Sequence, residues 1–159
     1  MLACVCTSCA YTARTSSLPP HLKKVAIPVF ENGTTESSIE QEITDAVIQR
    51  FVTNNQLKVV DERSADCVLR GKVTAYRNNV FGFSEQTKAQ EYRVTIAVDV
   101  TFKDLVKNRE IWHDDALVKT SNYYVTSVPG QTPETELDGR KAAVQKIADE
   151  ILTRTVEGW

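Results

Sequence analysis

What is scarce in this sequence narrows its possible roles before any motif is sought. Two histidines, one methionine and six glycines are spread over 159 residues. No G-x-S-x-G elbow, P-loop or dinucleotide fingerprint is formed, so the common signatures of nucleophilic and nucleotide-dependent enzymes are missing. No apolar run approaches the roughly 18 residues of a membrane helix. Cationic excess is missing too: 19 Lys and Arg stand against 21 Asp and Glu, a formal charge of −2. Nucleic acid is therefore not an expected partner. His113-Asp114-Asp115 is a cluster with the residue types of an acid–base or metal site. On a strand its members point to opposite sides, so only a bulge would let them converge. The expectation is a single non-enzymatic domain, long enough to bury a real core.

The four cysteines are unevenly placed. Cys4, Cys6 and Cys9 crowd the N-terminus, while Cys67 stands alone in an apolar stretch and reads as a small buried residue. The cluster has thiolate-metal character but no fourth ligand nearby beyond His21, so no metal is expected. Residues 1–9, MLACVCTSC, are small and apolar. They read either as an arbitrary N-terminus or as the tail of a lipoprotein signal whose basic start lies upstream of Met1. On the second reading Cys9, after Thr7 and Ser8, is the expected site of lipid attachment, with Cys4 as the competing acceptor. Residues 10–23, stiffened by Pro19-Pro20, read as an extended tether, and 24–159 as the folded domain.

Within that domain the strongest pattern is Tyr92–Phe102. Tyr92, Val94, Ile96, Val98, Val100 and Phe102 alternate with Arg93, Thr95, Ala97, Asp99 and Thr101. Such alternation predicts a long antiparallel strand with one covered face. Upstream, Lys24–Phe30 reads as a strand at an edge or bulged, because Pro28 cannot donate to a ladder. Ser37 and Glu40 form a capping-box pattern for a helix with Ile39, Ile43, Ala46, Val47 and Phe51 on one stripe, ending at Asn54-Asn55. Short strands follow at Leu57–Val60 and Cys67–Tyr76, then a hairpin tip over Arg77–Ala89 and a strand near Glu110–Thr120, bulged around His113. Ser121–Gln131 reads as a loop, and Thr132-Pro133 as the opening of a second helix. The order β-α-β-β-β-β-α predicts an α+β two-layer sandwich: four or five mostly antiparallel strands with two helices on one face.

The other face would stay open and carry Arg70, Lys72, Thr74, Arg93, Thr95 and Lys119 or their neighbours, with Val68 and Tyr76 on the same side of the Cys67–Tyr76 strand. Its cations are candidates for phosphate contacts, or else members of cross-strand ion pairs such as Lys72 with Asp99. Phe81 and Phe83 are either an insertion point into a partner or side chains folded back on the core.

Several stretches, in order, resemble one family. They are Cys9-Ala10-Tyr11, then S-L-P-P-H-L-K-K-V-A-I-P-V-F-E-N-G-T, V-V-D-E-R-S-A-D-C-V-L-R-G-K-V-T-A-Y, E-Y-R-V-T-I-A-V-D-V-T-F-K-D, and Ile111-Trp112. This series is similar to the LPS-assembly lipoproteins, the LptE family, from Cys9 to the C-terminal helix. The resemblance implies a non-enzymatic lipoprotein of the outer membrane, facing the periplasm and anchored through lipid on Cys9. It also implies two partners: the β-barrel LptD, which such proteins plug and help assemble, and lipopolysaccharide. Arg70, Lys72, Arg93 and Lys119 are then the candidate lipopolysaccharide contacts. The V-A-I-P-V-F-E-N-G-T stretch is shared with curli-secretion and penicillin-binding-protein-activator lipoproteins, which are the alternative. A small periplasmic enzyme using His113 and Asp115 is the third possibility.

Overall fold

The computed structural model describes residues 18–83, 89–125 and 132–158. Its elements run β1 (Lys24–Ala26), β2 (Glu31–Asn32), α1 (Ile39–Asn54), β3 (Lys58–Val59), β4 (Cys67–Phe83), β5 (Ala89–Asp104), β6 (Arg109–Tyr124) and α2 (Glu136–Val156). The six strands form one mixed sheet of order β3-β1-β4-β5-β6, with β2 also paired to β4. The long strands β4, β5 and β6 are antiparallel, while β1, β2 and β3 pair in parallel. The expected α+β sandwich is present, with slightly more strands than four or five.

Alternation in β5 is carried through. Val94, Ile96, Val98, Val100 and Phe102 are fully buried, and residues of the opposite parity are half-buried. α2 lies over β5 and β6, α1 packs beside α2 and over the shorter strands, and the core fills the space between. Ile39, Ile43, Val47 and Phe51 of α1 meet Val144, Ile147, Ala148 and Ile151 of α2 in that core. Close approach of the layers depends on two glycines. A methyl on Gly139 would sit 2.5 Å from Tyr123 Cδ1, and one on Gly71 would sit 2.1 Å from Phe30 Cε2.

Local structure departs from the sequence expectations where side chains find other partners. Pro28 falls in the break between β1 and β2, so β1 is an interior strand and not an edge. Ser38, with φ of 63°, precedes α1 without a side-chain cap. Glu40 is occupied by Asn32 Nδ2, at 2.8 Å, so the expected Ser37–Glu40 box does not form. α2 opens three residues later than Thr132-Pro133, because the Glu134 amide donates to the Tyr124 carbonyl at 2.7 Å and holds that segment extended. Thr135 and Asp138 then form the capping box. Arg77–Phe83, expected in a hairpin tip, continues β4, and Ser121–Tyr124 continues β6. The remainder of those two expected loops, 84–88 and 126–131, lies outside the described residues, as do Cys4, Cys6 and Cys9.

Candidate functional site

Among the described residues one face of the sheet carries no helix, and three of the five shifts in its register shape what it presents. Between β4 and β5 the register slips at Thr74: Val73 faces Val98, but Ala75 faces Ala97. An extra residue reverses the parity of everything beyond it. Tyr76 and Asn78 thereby join the helix side, where the Tyr76 hydroxyl donates to Glu136 Oε1 at 2.7 Å and Asn78 Nδ2 donates to the Tyr123 hydroxyl at 2.8 Å. The sequence reading had put Tyr76 on the open face with Arg70 and Lys72. Arg77 and Asn79 move onto that face in its place, opposite Thr95 and Arg93. A further slip follows at Phe81.

The third irregularity is the bulge expected near His113. Val100 faces Asp114 while Val98 faces Leu117, so Asp115 and Ala116 share one position. The bulge does not gather the cluster. His113 stays on the open face, its Nε2 2.9 Å from Asp99 Oδ1, whereas Asp114 turns to the helix side and pairs with Arg154. The bond to Asp99 raises the His113 pKa above its ordinary value, against a smaller opposing effect of desolvation. Downstream of the bulge Lys119 faces the helices, and its Nζ donates to Glu150 Oε2 at 2.6 Å. Lys119 is therefore not an open-face residue.

Two cation groups remain on the open face, and they differ in their neighbours. Near the start of β4, Arg70 pairs with Glu62 and Lys72 lies 3.9 Å from Glu31. Lys72 stands opposite Asp99 in the register, as expected, but Asp99 accepts from His113 instead. These cations belong to a balanced ion-pair surface. Near the far end of β4, Arg93 stacks 3.4 Å above the Phe81 ring centroid and donates from Nε to Asn122 Oδ1 at 2.8 Å. Glu91, the nearest acid along the strand, accepts from Asn122 Nδ2 at 2.6 Å and from the Tyr124 hydroxyl at 3.1 Å. Arg77 and Arg93 occupy diagonal cross-strand positions, and among the described residues neither pairs with a carboxylate. Phe81 is 50% exposed beside Arg93, and Phe83, at the end of β4, is 65% exposed. Two guanidinium forks with an aromatic edge can hold a phosphate and the apolar matter attached to it.

Arg77 was not singled out from sequence, because it fell in a segment read as loop. The signal available was the lack of any proline or glycine between Arg77 and Phe81, which left the strand free to continue. His21, the possible fourth ligand of the cysteine cluster, is engaged elsewhere, 2.7 Å from the buried Asp104. Cys67 is buried as expected, and burial, aided by Asp66 and Asp104, pushes its thiol pKa up to about 12.

Fold and site together define a class, the two-layer α+β scaffold with one uncovered sheet face. Solved structures share that fold at low identity. Protein XCC0632 from Xanthomonas campestris matches at TM-score 0.59 and 11% identity, covering 89% of this chain and 90% of that one. A PelC dodecamer from Paraburkholderia phytofirmans matches at 0.55 and 13%, covering 89% and 94%. A minor lipoprotein from Acinetobacter baumannii matches at 0.51 and 16%, covering 86% and 92%. No curated protein sequence matches the chain. The family described as LptE: Lipopolysaccharide-assembly matches residues 22–155, and the chain belongs to that family.

Proposed function

We propose that this chain is a non-enzymatic lipoprotein, acylated at Cys9 and held on the periplasmic face of the outer membrane. There it binds and helps assemble the LptD β-barrel and contacts lipopolysaccharide in transit to the outer leaflet. The observation that carries the reading is the family match across nearly the whole folded domain. The open face supports it by offering a surface for a barrel wall, and Arg77 with Arg93 is the phosphate contact we favour on that face. Arg70 and Lys72 are weaker candidates because each faces its own acid.

Lipopolysaccharide binding by the purified chain tests the site. Replacing Arg77 and Arg93 together by alanine removes two charge-assisted contacts, each worth about 1.5–3 kcal/mol, and should weaken binding by about a hundredfold or more. Replacing Arg70 and Lys72 should change it by less than about fivefold, the scale of an exposed ion pair at roughly 0–1 kcal/mol. Equal losses from both pairs, or none from the arginines, would overturn the assignment.

A further inference from the structure

We propose that the end of the sheet where the chain enters the domain is a docking surface for a bilayer containing anionic phospholipid. Lys24 of β1 stands beside Lys58 of β3, and the Lys58 amide donates to the Lys23 carbonyl at 2.9 Å. Across the same end, Leu105 is tied to the Asp66 carbonyl, and the β5–β6 turn presents Lys107 and Arg109. Strands lie about 4.8 Å apart, so Lys23, Lys24, Lys58, Lys107 and Arg109 span roughly 20 Å from β3 to β6. All five are exposed, and none is in an ion pair among the described residues.

The acids within this row are turned to other work. Asp66 Oδ2 accepts the amides of Lys23 and Lys24, both at 2.9 Å. Asp104 is fully buried, accepts the Lys107 amide on Oδ1 at 2.9 Å and faces His21 on Oδ2. Exposed carboxylates at the margin are Asp61 and Glu110. The whole chain is slightly acidic, so this concentration of cations does not reflect its average. At the turn between Lys107 and Leu105, Val106 is 64% exposed, an apolar side chain set among the cations.

Two features favour a lipid surface over a soluble polyanion. No exposed aromatic lies in the row to stack a base, as single-stranded nucleic acid requires. The chain enters here, with Leu22 buried and His21 clamped, and an acyl group on Cys9 would lie twelve residues from His21, within about 43 Å. This second argument rests on the proposed acylation at Cys9. A short tether fixed at the cationic end would press that end against the headgroups.

The test uses the full chain produced without acylation and vesicles of phosphatidylcholine, with and without 30% phosphatidylglycerol (about one lipid in three). We expect sedimentation with the anionic vesicles alone, reversed by raising salt. Each cation near an anionic surface strengthens binding roughly fivefold, so Lys24→Gln with Lys58→Gln and Lys107→Gln should weaken it about a hundredfold. Lys141→Gln, exposed on α2, is the control and should change nothing; matched melting curves confirm that the variants fold. Equal binding to both vesicle types, an unaffected triple variant, or retention on heparin without vesicle binding would overturn the proposal. Acylation of Cys9 is scored separately in cells. Anionic vesicle binding in vitro together with no acylation of Cys9 in cells would defeat the anchor reading and leave this surface standing.

Discussion

Arg140 offers a direct check on how the two helices are joined. Its side chain is 11% exposed and reaches three elements. The guanidinium donates to both carboxylate oxygens of Glu42, at 2.9 and 2.8 Å, pairs with Glu36, and donates to the Ser37 carbonyl at 3.0 Å. It also lies 5.5 Å from the Tyr76 ring centroid. Burial disfavours its charge, but Glu42 and Glu36 outweigh burial and hold its pKa above the ordinary arginine value. Replacing Arg140 by alanine strands two carboxylates. Breaking a fully buried pair costs about 3–5 kcal/mol, and an exposed pair about 0–1. Both glutamates are 35% exposed and regain water, so the expected loss lies between, near 2–3 kcal/mol. In a domain of this size each kcal/mol moves Tm by about 2–4 °C, which predicts a drop of about 8 °C. Arg140→Lys keeps the charge but not the fork, and should lose roughly half as much. Calorimetry and urea titration measure both variants. A change below about 0.5 kcal/mol for Arg140→Ala would refute the reasoning and leave the apolar stripes of α1 and α2 as the whole joint.

Other expectations follow from single contacts. Gly71→Ala should destabilise by about 1–3 kcal/mol in urea, since the new methyl would meet the buried Phe30 ring, and Phe30→Leu should recover part of the loss. Burial favours protonation of Asp104, but the Lys107 amide and His21 outweigh it and hold its pKa below 3.8. A depressed carboxylate stabilises the fold above its unfolded value and loses that contribution as pH falls through the folded value. The stability gap between wild type and Asp104→Asn should therefore be full at pH 6 and shrink below pH about 4 in urea titrations. Cys67, buried with its thiol pushed up to about 12, should resist alkylation at pH 8 until the chain is unfolded, as peptide mapping would reveal. In envelope fractions, labelled fatty acid should appear on Cys9, with Cys9→Ser abolishing the label and Cys4→Ser leaving it.

The long strand and both helices were legible because burial imposes period on sequence. Val94 through Phe102 had to alternate once α2 covered one face, and the stripe Ile39, Ile43, Val47 had to recur at helical spacing. Single inserted residues within β4 were not legible. Thr74, Ala75 and Tyr76 each tolerate either side of a sheet, so the slip at Thr74 left no break in the pattern, and Tyr76 and Arg77 were assigned to the wrong face or to a loop. At His113–Asp115 the broken alternation did announce a bulge. Its consequence, that Lys119 turns toward Glu150, follows only once the register beyond it is known. Ion-pair partners such as Glu62 for Arg70 come from a separate turn, Glu62–Ser64, whose position no local pattern specifies.

The central claim is membership of a lipopolysaccharide-export machine through a β-barrel partner. Its most direct test is purification of the C-terminally tagged chain, exported behind a lipoprotein signal sequence, from envelopes in mild detergent. The account predicts a roughly stoichiometric outer-membrane β-barrel carrying lipopolysaccharide. A peptidoglycan synthase or a self-assembled ring of this chain in place of the barrel would contradict it.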